Sequence, residues 1–63
     1  NLEQALQSRA TIDQAKGILM ERHRITADQA FQLLAQASMA TNTKLRQVAG
    51  YLVDTGELPR PPH

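Results

Sequence analysis

Apolar residues recur along this chain at spacings of three and four, and no stretch shows the alternation that marks a strand. From about Leu2 to about His23, Ala5, Ile12, Ala15 and Leu19 fall on one helical stripe with no proline among them, which predicts a single long helix. At about 100° per residue, Ser8 and His23 share that stripe, and His23 is expected to pack against it. Arg9 and Lys16 fall just beside the stripe, next to Met20, and Arg22 sits near its far edge. Glu3, Ala10, Gln14 and Glu21 occupy the opposite side, which is expected to face water.

A second helix is announced by Thr26-Ala27-Asp28-Gln29. In this pattern a threonine hydroxyl caps a free backbone N–H and a glutamine three residues on reaches back. Asp28 also suits the positive end of the helix dipole. Ala27, Ala30, Phe31, Leu34 and Ala37 then make one apolar stripe, with Ser38 on it, and the helix is expected to end near Met39 to Thr41. Asn42 or Thr43 is the expected cap of a third helix, whose stripe of Leu45, Val48, Ala49, Leu52 and Val53 is the cleanest in the chain. Gly56 is expected to stop it in the left-handed conformation, and the segment 57–63, with Pro59, Pro61 and Pro62, to be extended. The expected fold is all-α: a small three-helix bundle over residues 1–56 followed by a Pro-rich C-terminal tail.

Length and composition narrow this picture. A chain of 63 residues makes one domain at most and buries only about 60% of the surface its unfolded form exposes, so the core must be thin. With no cysteine and no tryptophan, neither a disulfide nor a thiolate-held metal can staple it. No apolar run approaches the roughly 18 residues a membrane span needs. The opening residues carry helical chemistry with no cap before them, so a fragment of a longer protein is expected, truncated at its N-terminal side. Seven Lys or Arg against six Asp or Glu give a formal charge of +1, far from the strongly basic balance of many nucleic-acid binders. Position therefore matters more than sum. Only Phe31 and Tyr51 are aromatic, too few for an extended platform of stacked bases.

Catalysis finds no support in the residues: there is no Cys nucleophile, no His-x-x-x-His pair, no Gly-rich loop and no pair of carboxylates on an apolar wall. No catalytic residue, metal ligand or cofactor is expected. Gly17, inside a long helix, costs about 1 kcal/mol relative to alanine; close approach of another helix and close approach of a nucleic-acid backbone explain it equally well. Lys16 beside it either snorkels over the core edge or binds an anion. Lys44 and Arg46 lie in the first turn of the third helix, where cations oppose the helix dipole. Either that turn is simply solvated, or its free N–H groups and cations form an anion site together with the polar stretch Thr41-Asn42-Thr43. Ser38 on its apolar stripe would ordinarily bond to the carbonyl of Leu34 one turn back.

The ordered set Ser8-Arg9, Ile12-Asp13-Gln14-Ala15-Lys16-Gly17-Ile18-Leu19-Met20, Ala30-Phe31-x-x-Leu34, Ser38, Asn42, Lys44-Leu45-Arg46 and Val48-Ala49 strongly resembles the ANTAR family of bacterial transcription antitermination regulators. The resemblance runs from about Leu6 to Gly56. It implies an RNA-binding module that grips the loops of small hairpins in a nascent transcript and so prevents an overlapping terminator from forming. It also implies a cytoplasmic protein in which an upstream receiver or other sensory domain precedes this module, often with a dimerising coiled coil. The full-length protein is then expected to be a homodimer, and the isolated segment monomeric or weakly associated. The family positions that the resemblance points to for RNA are Lys16, Lys44, Arg46, Arg9, Gly17, Ser38 and Asn42; no family position falls on Arg22. Ser38 and Asn42 are equally suited to capping the corner between the second and third helices. Ile12, Ala15, Leu19, Phe31, Leu34, Leu45, Val48, Ala49 and Leu52 are expected in the core. Two other readings of the same helices stay open: a helix-turn-helix DNA reader using Lys44, Arg46 and Gln47, and a helical docking or dimerisation module.

Overall fold

In the computed structural model, which describes residues 2–60 and the side chains from residue 9 onward, the chain forms α1 (Leu2–His23), α2 (Ala27–Thr41) and α3 (Leu45–Thr55). No strand occurs among the described residues. The expectations placed on the side chains of Glu3, Ala5 and Ser8, and on residues 61–63 of the tail, lie outside the described residues.

Each helix contributes to one aliphatic core. Ala15 and Leu19 from α1, Ala30 and Leu34 from α2, and Val48, Ala49 and Leu52 from α3 are at most 1% exposed. Ile12, Ile18, Ile25, Leu33, Ala37, Leu45 and Leu58 are half-buried around them. No polar or charged side chain is buried among the described residues, and none leaves a buried polar atom without a partner. Stability therefore rests on close packing of a few methyl-rich side chains, each fully buried leucine or valine contributing about 1.5 to 3 kcal/mol.

Local chemistry fixes the corners. At the start of α2 the Gln29 N–H donates to Thr26 Oγ1 (3.2 Å) while the Thr26 N–H donates to Gln29 Oε1 (3.0 Å), the reciprocal cap foreseen from sequence. Between α1 and α2, Arg24 turns left-handed (φ 55°) and the Ile25 N–H reaches back to the Met20 carbonyl at 3.3 Å. This closes the helix and carries Ile25 into partial burial. The α2–α3 corner repeats the device: Asn42 is left-handed (φ 53°), the Asn42 N–H donates to Met39 and the Thr43 N–H to Ser38. Gly56 ends α3 at φ 78°, with its N–H on the Leu52 carbonyl (2.7 Å), as its position in the sequence predicts.

Several expectations are corrected. Phe31 is 42% exposed and outside the core. With Ala30 and Leu34 buried and Leu33 and Ala37 half-buried, α2 turns its Ala30 side inward, and Phe31, about 100° further round, falls on the rim. For the same geometric reason Val53 is 36% exposed and Ala27 is exposed. His23 is exposed because its stripe runs past the end of the core there. Neither Asn42 nor Thr43 caps α3: both are taken up in closing α2, and Lys44 becomes the N-cap, with no side-chain hydrogen bond. Ser38 donates not to Leu34 but forward to the Thr43 carbonyl, since that carbonyl, freed by the turn, lies within reach. Leu58, in the segment after α3, packs against the core.

Candidate nucleic-acid interface

The first turn of α3 is built without the usual compensations. It carries no acidic residue and no side-chain cap. The N–H groups of Gln47 and Val48 donate to the Lys44 carbonyl (2.9 and 3.0 Å), whereas those of Leu45 and Arg46 make no hydrogen bond among the described residues. Lys44 and Arg46 themselves are exposed, as is Gln47 one position on. An anion arriving here would meet two unpaired N–H donors, the positive end of the helix dipole and two cations.

On α1 the candidates are arranged differently. Lys16 is half-buried, its side chain 28% exposed, and its Nζ lies 3.6 Å from Asp13 Oδ1 one turn earlier. Asp13 is 64% exposed, so the pair is a surface one and contributes at most about 1 kcal/mol. A phosphate could compete for that ammonium. Arg9 is exposed. Gly17 is exposed too, and a Cβ placed there would meet no atom within 4 Å beyond its own helix. Helix–helix approach therefore does not explain this glycine, because no neighbouring element crosses over it.

Ser38 and Asn42 both serve the corner that presents α3. The Ser38 hydroxyl is engaged with Thr43, the Asn42 backbone supplies the left-handed step, and the exposed Asn42 amide makes no hydrogen bond of its own. Thr41 and Thr43 tighten the same turn: Thr41 Oγ1 donates to Ala37 (2.7 Å) and Thr43 Oγ1 to the Thr41 carbonyl (3.1 Å). No hydrogen bond or ion pair joins Lys16 to Lys44 or Arg46.

One structural residue escaped the sequence reading. Arg22 donates through Nη1 to the carbonyl of Gly56, tying the end of α1 to the end of α3 across 34 positions of sequence. A basic residue in the last turn of a helix is a weak signal, and its partner is a backbone carbonyl that no pattern marks.

Among the described residues no group of three or more His, Asp or Glu is placed to hold a metal ion, and no helix is long and apolar enough to cross a membrane. No solved structure matches the sequence. Over 59 residues, 94% of its length, the chain is 30% identical to the transcriptional regulatory protein PdtaR from two strains of Mycobacterium tuberculosis, CDC 1551 / Oshkosh and ATCC 25618 / H37Rv. It spans 29% of the length of those relatives. The ANTAR domain model matches residues 1–53, which takes in α1, α2 and most of α3, including the uncapped start of α3 and the paired Lys16. With that match over most of the folded part, the chain belongs to the ANTAR domain family.

Proposed function

We propose that this domain binds RNA at the start of α3 and along the Lys16 flank of α1, holding the unpaired loop of a small hairpin in a nascent transcript so that an overlapping terminator does not form. The observation that carries the reading is the first turn of α3, with exposed Lys44 and Arg46, no acid, no side-chain cap and two free N–H groups. Lys16, exposed Arg9 and the open backbone at Gly17 offer cations and accessible backbone on α1, and the exposed Asn42 amide precedes Lys44 by two residues. Proteins read RNA sequence mainly where bases are splayed out, the paired stem offering shape and phosphate. A surface of cations and N–H donors with few aromatics suits that task.

In this reading residues 1–56 form the output module of a longer cytoplasmic regulator and carry no catalytic activity. An upstream sensory or receiver domain supplies the signal and the full-length protein is a homodimer, while the isolated chain, whose fully buried residues meet one another in a single core, is at most weakly associated. The direct test compares a labelled RNA hairpin with duplex DNA of equal length at matched ionic strength. The hairpin should bind the more tightly. Tighter binding to the duplex would instead favour α3 as a groove-reading helix through Lys44, Arg46 and Gln47.

A further inference from the structure

The opposite end of α3 holds a second surface. Here the last turn of α1 and the segment after α3 enclose an open groove of about 330 Å³. Its apolar wall is made by Leu19, Leu58 and Pro59, and its polar wall by Arg22, His23 and Arg60, with Glu57 at the edge. Among the described residues none of the three basic groups has a carboxylate within 4.0 Å, the single ion pair being that of Lys16 with Asp13. Arg22 spends one N–H on the Gly56 carbonyl, and a guanidinium has five. The helix dipole accounts for basic residues at positions 22 and 23, in the last turn of α1. It does not account for Arg60, which belongs to no helix.

We propose that this groove is a binding site for a nucleoside phosphate ester, its phosphate held by Arg22 and Arg60 beside His23 and its base or sugar lying against Leu58 and Pro59. Size and chemistry agree. The volume sits at the lower end of the roughly 300 to 1,000 Å³ of small-molecule sites, and an apolar wall facing a basic one matches an anion carrying a flat organic body. The site lies apart from the start of α3, since Arg46 lies ten residues, about 15 Å of helix, before Gly56, and Lys16 on α1 lies six residues, about 9 Å of helix, before Arg22. It also depends on residues 57–60, which follow the segment matched by the family. The ester could be one phosphodiester of an RNA strand or a free nucleotide.

The test is a titration of the 63-residue chain, followed by backbone and arginine side-chain NMR, with uridine 5′-monophosphate, single-stranded tetrauridylate and inorganic phosphate. At least one of the two nucleotide probes should shift resonances of Arg22, His23, Leu58 and Arg60 saturably, and more tightly than inorganic phosphate. Preference for the tetranucleotide assigns the site to an RNA strand, and preference for the mononucleotide assigns it to a free ligand. Arg60→Ala should weaken the preferred probe about three- to tenfold with an unchanged melting temperature. Arg24→Gly, which removes a cation outside the groove at a left-handed position glycine accepts, should leave affinity within about twofold. Arg22 is unsuited as the variant because its loss also frees Gly56. No saturable shift at the groove, inorganic phosphate binding as tightly as both nucleotides, or Arg60→Ala binding like the parent would each overturn the proposal. None of these probes has a stem or loop, so failure of hairpin binding at α3 would leave this result standing.

Discussion

Leu52→Ala should destabilise the domain by about 2 to 5 kcal/mol, because Leu52 is fully buried at the meeting of all three helices and so thin a core has little with which to fill the cavity. At about 0.05 to 0.15 kcal/mol per residue, a chain of this length has roughly 3 to 9 kcal/mol in total, so one substitution removes a large share of it. In a domain this small the melting temperature should fall by about 10 °C or more, readable by far-ultraviolet circular dichroism. Phe31→Ala is the informative comparison. It deletes a larger side chain, yet Phe31 is 42% exposed, so its cost should be well below that of Leu52→Ala. The reverse order would restore Phe31 to the core and displace the packing described here.

The second large effect concerns binding. If they contact phosphate as proposed, Lys44→Ala and Arg46→Ala should each weaken binding to an RNA hairpin and lower the salt dependence by about one ion, with helicity unchanged, since both residues are exposed. Lys16→Ala should act in the same direction. The loss of Lys16 also leaves Asp13 without its partner, which would add repulsion towards an RNA bound as proposed. Any lost cation weakens binding slightly through long-range attraction, so a control is required. Arg22 is excluded by its hydrogen bond to Gly56, and Arg24→Gly takes its place. At physiological ionic strength, with a Debye length of about 8 Å, equal losses for Arg24→Gly and Lys44→Ala would mean diffuse attraction rather than a localised site.

What the sequence made legible was whatever is written locally. Helix periodicity placed all three helices, the Thr26–Gln29 pair announced its own capping box, and Gly56 marked the end of α3. The errors came from circumference. Periodicity gives a stripe but not which edge of it the neighbours cover, and so it sets Phe31, Val53 and His23 on the inner side and does not mark Ile18, Ile25 and Leu33, which are half-buried. Turn chemistry produced a second kind of error: Asn42 and Thr43 are good N-cap residues, but the same small polar side chains also suit a left-handed helix end, and closing α2 took precedence. The contacts of Arg22 with Gly56 and of Leu58 with the core are products of tertiary structure alone. At the candidate interface, the residue types at positions 44 and 46 were legible as cations in the wrong place for helix stability. The missing side-chain cap that leaves the N–H groups of Leu45 and Arg46 unpaired was not.

The central claim is that the domain grips the unpaired loop of a hairpin, and the most direct measurement replaces that loop. Affinity is compared, at one ionic strength, for a hairpin with its nucleotide loop and for the same stem closed by a flexible non-nucleotide linker. The stem keeps most of the phosphates while the loop alone offers unstacked bases. If the domain grips the loop, the linker-closed stem should lose most of the affinity, and Lys44→Ala and Arg46→Ala should bring the intact hairpin down towards that lower level. Equal affinity of the two RNAs for the parent domain would contradict that claim.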